Sequence, residues 1–269
     1  MKILITGGNG NISKIIKNNL NKEYLITTPG RDELNLLYFD NLKNYLSKND
    51  FDICIHTAIK GGRRTKTEDY DVYYINLQMF ENLMMFSSKF KMIINLDSGA
   101  IYDRETDILN RKEEDLLTVP KDLYGFSKYT IYNRSLSHSN LYNYRIFNIF
   151  HPNEENDRFT KLCLNNKEIT ITEDKYFDFV YYLDFVKIVE YYIKNIDNQD
   201  ILEKVINISY KEKYQLSTIA KMINPDINTI ITNKVSNYNY SGSSEKLDKL
   251  KLDFLGLEKS IFDYKSQLI

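Results

Sequence analysis

A phenol and an ammonium group lie one helical turn apart at Tyr124 and Lys128, within the segment Tyr-Gly-Phe-Ser-Lys. Residues four positions apart on a helix project from the same face, so both side chains can act on one bound group. A free phenol, with a pKa of about 10, exchanges protons slowly at neutral pH, and a nearby ammonium group favours the phenolate. Because the chain has 22 tyrosines, such a pair also arises by chance. Ser98, at the end of an earlier apolar segment, makes the pair more informative.

The first residues predict a strand, a glycine-rich turn and the start of a helix. Lys2-Ile-Leu-Ile leads into Thr6-Gly-Gly-Asn-Gly-Asn-Ile-Ser13. Gly7 permits a tight turn, and Gly10 lets the backbone amides of Asn11 and Ile12 approach a dinucleotide pyrophosphate at the positive end of the helix. Ser13 stands where the motif usually has its third glycine. A lone glycine triplet is often an ordinary turn, but its place directly behind a strand favours the dinucleotide.

The loop after a second predicted strand, residues 23–27, indicates which dinucleotide binds. An acidic side chain here would accept hydrogen bonds from the ribose 2′-hydroxyl of NAD. The loop instead offers Thr28 and Arg31, which suit a 2′-phosphate. NADP(H) is therefore the preferred prediction and NAD(H) the alternative, and a solvated loop arginine is the other interpretation of Arg31.

A third predicted strand, Asp52–Ala58, ends in small residues. Thr57 and Ala58 would let a cofactor lie across the strand tip. His56 either touches that ligand or, as the favoured interpretation, packs at the strand end. The basic loop Gly61–Arg64 that follows is either a clamp on substrate phosphates or a solvated run of charge, and the two interpretations carry equal weight.

The rest of the chain alternates strands with helices and then departs from that pattern. A helix is predicted over residues 70–88, another begins at Tyr124, and strands are predicted over 91–96, 142–150 and 204–209. A short helix near 158–164 and a hairpin-like segment at 168–172 interrupt the alternation. We predict an α/β Rossmann fold, a doubly wound parallel sheet with helices on both faces, over residues 1–150 and about 178–209, and a smaller substrate-binding lobe over about 151–177 and 210–269.

Composition limits the class of protein. A chain of 269 residues with 42% apolar residues fits one large α/β unit or two small lobes. The net charge of −1 predicts neither nucleic-acid binding nor adsorption to an acidic membrane. Cys54 and Cys163 lack partners at metal-ligand spacing, so no metal site is predicted. The sequence shows neither a signal peptide nor an apolar run of membrane length, and we expect a soluble cytoplasmic protein.

Taken together, the motifs resemble the extended short-chain dehydrogenase/reductases that act on nucleotide sugars. The segments that carry the resemblance are Thr6–Ser13, Ile55–Ala58, Asn76, Asp97–Tyr102, Tyr124–Lys128, Arg145–Asn148 and Asp178–Asp184, in the order and spacing of that family. Within the family, Arg31–Leu37 and residues 58–62 are most similar to the GDP-L-fucose synthase branch, followed by the dTDP-4-dehydrorhamnose reductase branch. These relatives favour NADPH, which agrees with the argument from Arg31.

The resemblance implies a role for each motif residue. Tyr124 would give a proton to a ketone oxygen while hydride passes from the nicotinamide to the carbonyl carbon, and Ser98 would polarise that carbonyl. Lys128 would hold the nicotinamide ribose, and Asn76 would orient the catalytic helix or its water. Relatives pair as homodimers through the two helices that contain Asn76 and Tyr124. The implied cofactor contacts are Gly7, Gly10, Asn11, Ile12, Arg31, Thr57, Ala58, Asn76, Tyr124 and Lys128, and the implied substrate contacts are Ser98, Gly99, Asn148 and Arg158.

Positions where this sequence differs from the family's motifs limit which of the family's reactions are expected. The GDP-L-fucose synthase branch epimerises the carbons beside the ketone with a cysteine and a histidine, and here those positions are Ala100 and about Arg158, which cannot shuttle protons at neutral pH. The dehydratase branch has an Asp-Glu pair where this chain has Gly99 and Ala100, so a 4,6-dehydratase is not expected. Phe177 replaces an arginine that binds the substrate diphosphate, and Arg158 or Arg63 would substitute for it.

The sequence therefore predicts an enzyme, an NAD(P)-dependent nucleotide-sugar oxidoreductase. The specific prediction is NADPH-dependent reduction of an NDP-4-keto-6-deoxysugar without 3,5-epimerisation. The alternative is an NDP-sugar 4-epimerase with tightly bound NAD, which uses the same Ser/Tyr/Lys set. A non-catalytic dinucleotide-binding regulatory protein is the least expected, because such relatives typically lose the tyrosine or the lysine. The expected partners are a nucleotide-diphosphate sugar and a second copy of the chain.

Overall fold

The computed structural model describes residues 1–62, 68–233 and 238–268. Its strands are β1 (Lys2–Thr6), β2 (Leu25–Thr27), β3 (Ile53–His56), β4 (Met92–Ser98), β5 (Ile108–Arg111), β6 (Leu141–Ile146), β7 (Ile149–Phe150), β8 (Glu168–Glu173), β9 (Val180–Tyr181), β10 (Val205–Ile208), β11 (Asn228–Asn233) and β12 (Tyr240–Gly242). Its α-helices are α1 (Asn11–Leu20), α2 (Phe39–Lys48), α3 (Val72–Met84), α4 (Leu123–Ser135), α5 (Phe159–Asn165), α6 (Tyr182–Lys194), α7 (Leu216–Ile223), α8 (Glu245–Asp248) and α9 (Gly256–Ser266).

A six-stranded sheet has the strand order β10–β6–β4–β3–β1–β2. β1 lies parallel to both β2 and β3, and β3 lies parallel to β4. The chain runs outward from β1 to β2 and then crosses back to β3, so the strand order reverses between β1 and β3. Ligands of open α/β sheets bind beyond the carboxyl ends of the strands at such a reversal. The predicted Rossmann-type architecture is confirmed, and the reversal lies at the glycine-rich turn (residues 6–13) and residues 57–58.

Burial follows the sequence pattern of the sheet and its first helix. Ile3, Leu4 and Ile5 of β1 are completely buried, and every residue of β4 is buried. Continuous burial of this kind is expected of parallel strands that are covered on both faces. Helix α1 buries its apolar residues along one stripe (Ile15, Ile16 and Leu20). This stripe fixes the direction in which α1 leaves the glycine-rich turn.

Several elements differ from the sequence predictions. The helix predicted over residues 70–88 is the shorter α3, followed by a separate 3₁₀ turn at Ser87–Lys89. The segment predicted to be hairpin-like is β8, which pairs in parallel with the distant β11. The sequence did not predict β5, which pairs in parallel with β12. Local patterning missed these pairings because both partner strands come from the last part of the chain.

The chain divides into two compact units. The first comprises Met1–Asp103, Leu117–Arg145 and Ile188–Ile206, and the second comprises Arg104–Leu116, Ile146–Lys187 and Asn207–Ile269. The first unit contains the six-stranded sheet apart from Ile146 of β6 and Asn207 and Ile208 of β10. The second unit contains the parallel pairs β8–β11, β5–β12 and β7–β9. Within the described ranges, no helix combines the length and apolar composition needed to cross a membrane.

Candidate active site

The glycine-rich turn is shaped by close backbone packing. Gly7 has a φ of +71°, a left-handed conformation that residues with a Cβ rarely adopt. A Cβ at Gly8 would lie 2.6 Å from the carbonyl carbon of Thr28, and the Gly8 N–H donates to the carbonyl oxygen of Pro29 at 3.2 Å. The turn is therefore held directly against the residues that follow β2.

Helix α1 presents backbone amides without a side-chain cap at this turn. Its N-cap is Gly10, which makes no side-chain cap hydrogen bond, and its first turn contains no acidic residue. The first amides of a helix, here those of Asn11 and Ile12, have no acceptor within the helix and carry its positive partial charge. The third motif position requires a small residue so that helix and strand pack closely. Ser13 occupies this position and is completely buried. These residues fit a dinucleotide pyrophosphate.

Positive charge lies at the end of β2. Lys17, in the last turn of α1, donates from Nζ to Thr28 Oγ1 at 3.2 Å. An ammonium group therefore lies where NAD-binding folds present a carboxylate to the ribose. Arg31 follows in the same loop and is exposed. Sequence reasoning identified Thr28 and Arg31 but missed Lys17, because only the fold brings the end of α1 beside β2.

The end of β3 contacts the same turn. Thr57 Oγ1 donates to the carbonyl oxygen of Thr6 at 2.7 Å, and His56 Nδ1 lies 2.9 Å from Thr6 Oγ1. Burial, together with the nearby charge of Lys128, lowers the pKa of His56 to about 3. His56 is therefore a neutral side chain packed at the end of β3, as the favoured interpretation predicts. Ala58 lies against Gly7 at the reversal of strand order.

Helix α4 presents Tyr124 and Lys128 close to one another. Lys128 Nζ lies 5.9 Å from the centroid of the Tyr124 ring and donates to the carbonyl oxygen of Leu96 on β4 at 2.5 Å. Burial lowers the pKa of Lys128 to about 8, although the carboxylate of Asp97 acts in the opposite direction. At neutral pH the side chain is therefore still an ammonium group beside the phenol.

Ser98 is held at the end of β4 by the 3₁₀ turn Gly99–Tyr102. Its Oγ accepts the N–H of Ala100 at 3.2 Å. Asp122 caps α4 by accepting the Gly125 N–H at 2.8 Å. A Cβ at Gly125 would lie 2.8 Å from the carbonyl oxygen of Ala100, so α4 begins against this turn. We call Ser98, the turn Gly99–Tyr102, Tyr124 and Lys128 the tyrosine corner.

A buried charge network adjoins the tyrosine corner. Arg145 on β6 is completely buried, with its Nε 3.1 Å from Asp97 Oδ2, and its Nη1 donates to the Tyr102 hydroxyl at 2.6 Å. Its guanidinium carbon lies 4.7 Å and 5.0 Å from the ring centroids of Tyr102 and Tyr132. Burial acts to lower the pKa of Arg145, but Tyr102 and Asp97 raise it above its ordinary value. The pair ties β4 to β6 directly beside Ser98.

Asn76 links Lys60, after β3, to α4, the helix that carries Tyr124 and Lys128. Its Oδ1 accepts the Lys60 N–H at 2.8 Å, and its Nδ2 donates to the Lys60 carbonyl oxygen at 2.9 Å and to Ser127 Oγ on α4 at 3.2 Å. Ser127 in turn donates to the carbonyl oxygen of Tyr124 at 2.7 Å. The basic residues Arg63 and Arg64 of the predicted loop lie outside the described residues.

Asn148 and Arg158, the predicted substrate-binding residues of the second unit, contact each other. Arg158 donates from Nη2 to Asn148 Oδ1 at 2.5 Å, and its Nε lies 3.8 Å from Glu154 Oε2. Burial raises the pKa of Glu154 to about 8, against the opposing charges of Arg158 and Lys161. Phe177 packs against other aromatic rings and offers no charge. Arg158 therefore lies beside a carboxyl whose protonated form is favoured by burial.

Residues 3–209 match the model of the NAD dependent epimerase/dehydratase family. The matched range contains the glycine-rich turn, the tyrosine corner and Asn148. The chain belongs to this family. Family members are enzymes that use a nicotinamide dinucleotide, so the resemblance drawn from the sequence is confirmed at that level. A search of curated proteins gives no match for the chain.

Solved structures share the fold of this family member over nearly its whole length. A dTDP-4-dehydrorhamnose reductase from Clostridium acetobutylicum is 19% identical, with 100% of this chain and 99% of that chain covered and a TM-score of 0.81. A GDP-mannoheptose C4 reductase from Campylobacter jejuni is 18% identical, with 98% of both chains covered and a TM-score of 0.79. An ADP-L-glycero-D-manno-heptose-6-epimerase from Helicobacter pylori is 23% identical, with coverage of 99% and 96% and a TM-score of 0.76. At these identities the likeness establishes the fold.

Proposed function

We propose that the chain is an NAD(P)-dependent nucleotide-sugar oxidoreductase that uses NADPH to reduce an NDP-4-keto-6-deoxysugar without epimerising carbons 3 and 5. The observation that carries the proposal is the tyrosine corner, in which α4 holds Tyr124 and Lys128 against the turn that follows Ser98. The activities of similarly folded proteins support it, because they include reductases of dTDP-linked and GDP-linked sugars.

In the proposed mechanism, Tyr124 transfers the proton. When bound, the nicotinamide supplies the hydride that adds to the carbonyl carbon. Tyr124 gives its hydroxyl proton to the carbonyl oxygen, and Ser98 Oγ donates a hydrogen bond to the charge that develops on that oxygen. The ammonium group of Lys128 favours the phenolate left on Tyr124. Asn76 acts through Ser127, which bonds the backbone of Tyr124 and so helps to orient the helix.

The proposed cofactor contacts lie in the first unit. The amides of Asn11 and Ile12 bind the pyrophosphate, because the glycine-rich turn lets it approach them. The other contacts are made by Gly7, Gly10, Thr57, Ala58, Tyr124 and Lys128, with Lys128 on the nicotinamide ribose.

A preference for NADP follows from the charges at the end of β2. A 2′-phosphate is an anion, whereas a 2′-hydroxyl is neutral, so cations discriminate between the two cofactors. Arg31 lies in this loop, and Lys17 holds its ammonium group on Thr28. We therefore propose that Lys17 and Arg31 both favour the 2′-phosphate.

The second unit contains two of the proposed substrate contacts. Asn148 and Arg158, joined by a hydrogen bond, would bind the sugar or its diphosphate, with Arg158 in place of the arginine that Phe177 replaces. Ser98 and Gly99 would contact the sugar from the tyrosine corner. Ala100 is buried and carries no titratable group, which supports reduction without proton exchange at the neighbouring carbons.

A second candidate function is an NDP-sugar 4-epimerase with tightly bound NAD. The same tyrosine corner serves that reaction, and a UDP-galactose 4-epimerase shares the fold with a TM-score of 0.76 at 15% identity. NAD retained through purification would favour the epimerase, whereas freely dissociating NADPH would favour the reductase. The presence of both Tyr124 and Lys128 argues against a regulatory protein without catalysis.

We also propose a cytoplasmic homodimer that pairs through α3 and α4. Tyr74 on α3 is 70% exposed, and Tyr70, just before this helix, is 91% exposed. Tyr73 of α3 stacks on Phe126 of α4 with ring centroids 4.9 Å apart. Large aromatic rings on this face can be buried by a second copy.

The test of the proposed function is turnover of defined substrates. The protein is incubated with NADPH and a panel of nucleotide-linked ketosugars, and the products are identified by NMR. The expected result is an alcohol at the former carbonyl carbon with the other stereocentres unchanged. Absence of NADPH consumption with every ketosugar, or interconversion of nucleotide sugars with bound NAD, would reject the reductase.

A further inference from the structure

We infer that Glu68 is a positioning residue that holds Gly62, which follows β3, against the phenol of Tyr124. The inference rests on the proposed function, because it takes Tyr124 as the proton donor. Glu68 Oε1 accepts the N–H of Gly62 at 3.0 Å, and Glu68 Oε2 accepts the N–H of Tyr124 at 3.0 Å. One carboxylate thus joins the loop to the first turn of α4.

The Tyr124 amide needs an acceptor from outside its helix. Tyr124 is the second residue of α4, and the first four amides of a helix have no acceptor within it. The N-cap Asp122 already accepts the Gly125 N–H. A carboxylate also complements the positive end of the helix and makes stronger hydrogen bonds than a neutral acceptor. Glu68 therefore suits this position by both its charge and its two oxygens.

Gly62 borders the hydroxyl end of the Tyr124 ring. Its φ is +88°, and a Cβ at this position would lie 2.8 Å from Tyr124 Cζ and 3.2 Å from the hydroxyl oxygen. The phenol of Tyr124 thus packs against the backbone of Gly62. Because Glu68 fixes both Gly62 and the Tyr124 backbone, it fixes where the reacting hydroxyl lies.

Other contacts close the base of this loop without reaching the phenol. Asn76 holds the backbone of Lys60, and Lys60 Nζ lies 2.6 Å from Asp71 Oδ1 and 3.2 Å from Asp69 Oδ2. Exposed ion pairs such as these contribute little to stability. The two hydrogen bonds with the buried Asn76 therefore anchor residue 60, two positions before Gly62. Loss of Glu68 would therefore release Gly62 from the phenol and leave Lys60 in place.

The test compares Glu68→Gln with Glu81→Gln in the full-length protein. Glutamine keeps one acceptor oxygen, so one of the two amides loses its partner. Glu81 is the matched control, because it is also a carboxylate bonded to α4, through its ion pair between α3 and Arg134, but it touches neither Gly62 nor Tyr124. The measurements are amide hydrogen exchange of Gly62 and Tyr124, NADPH dissociation constants, thermal unfolding, and kcat and KM with the ketosugar that is turned over.

For Glu68→Gln we expect exchange about tenfold faster or more at one or both amides, and a kcat lowered about tenfold, because small misplacements of a reacting group are costly. NADPH affinity and thermal unfolding should stay close to the wild type, and Glu81→Gln should change neither exchange nor kcat. Unchanged exchange, an unchanged kcat, or an equal loss in Glu81→Gln would overturn the inference. If the wild type reduces no ketosugar, the proposed function fails, and unchanged exchange in Glu68→Gln would still separately reject the contact.

Discussion

The glycine-rich turn and the tyrosine corner lie in the same unit but are built differently. In the turn, neighbouring residues bond through the backbone, as where the Gly10 N–H donates to the Gly7 carbonyl oxygen at 2.9 Å. In the tyrosine corner, the supporting side chains come from distant segments, with Glu68 on the Tyr124 amide and Arg145 on Asp97. The conformation of the glycine-rich turn is thus largely encoded locally, whereas the proposed catalytic site depends on the whole unit.

The largest expected effect separates the chemistry of the corner from the binding at the turn. Tyr124→Phe removes the proton donor and should lower kcat about a thousandfold, within the usual range for loss of a general acid. The NADPH dissociation constant should change less than about twofold, because phenylalanine keeps the ring of Tyr124 and the other proposed cofactor contacts stay in place. Steady-state kinetics and NADPH titration measure the two effects. Turnover that survives unchanged would remove Tyr124 from the mechanism.

The buried network predicts that Arg145, which has no proposed contact with substrate, contributes strongly to the free energy of unfolding. Arg145→Met leaves the buried carboxylate of Asp97 without its cation, and breaking such a pair costs about 3–5 kcal/mol. The control, Arg134→Met, removes an exposed ion pair with Glu81 and should cost less than about 1 kcal/mol. Urea unfolding measures both. Equal costs would show that the Arg145 pair does not support the fold.

Burial of Lys128 predicts a pH dependence of stability. Its pKa falls from 10.5 in a free side chain to about 8 in the fold, so between these values the unfolded chain binds more protons and stability rises with pH. Relative to Lys128→Met, the lysine protein should gain up to about 2 kcal/mol between about pH 8 and about pH 9.5. Both proteins carry Tyr124→Phe, which removes the neighbouring phenol. A constant or falling difference would contradict the burial of the ammonium group.

The smallest expected effect lies at the end of β2. Lys17→Met and Arg31→Ala should each weaken NADPH binding about tenfold, as expected for loss of one charge-assisted contact, and change NADH binding less than about twofold. Lys22→Met is the control, because Lys22 is exposed just beyond α1. Dissociation constants of 2′,5′-ADP, which carries the 2′-phosphate, and of AMP, which lacks it, make the same comparison without substrate. An equal loss with both ligands would show that the replaced residue does not read the 2′-phosphate.

The difference between local and long-range contacts also explains which parts of the site the sequence predicts. The spacing of Tyr124 and Lys128 and the glycines of the turn are local, so their positions could be predicted before the fold was known. Lys17 and Glu68 could not, because each acts on a segment reached only through the tertiary structure. The parallel pairing of β8 with β11 was missed for the same reason. Nothing in a local pattern specifies a partner at the far end of the chain.

The most direct test follows the hydrogen atoms of the reaction. The wild-type protein is supplied with NADPH that carries deuterium at the transferred position of the nicotinamide, and a parallel reaction with ordinary NADPH is run in deuterated water beside a control without enzyme. We predict one deuterium from the cofactor at the former carbonyl carbon, and none from the solvent at carbons 3 and 5 above the control. Catalysed incorporation at carbons 3 and 5, or no transfer from the cofactor, would contradict reduction by the tyrosine corner.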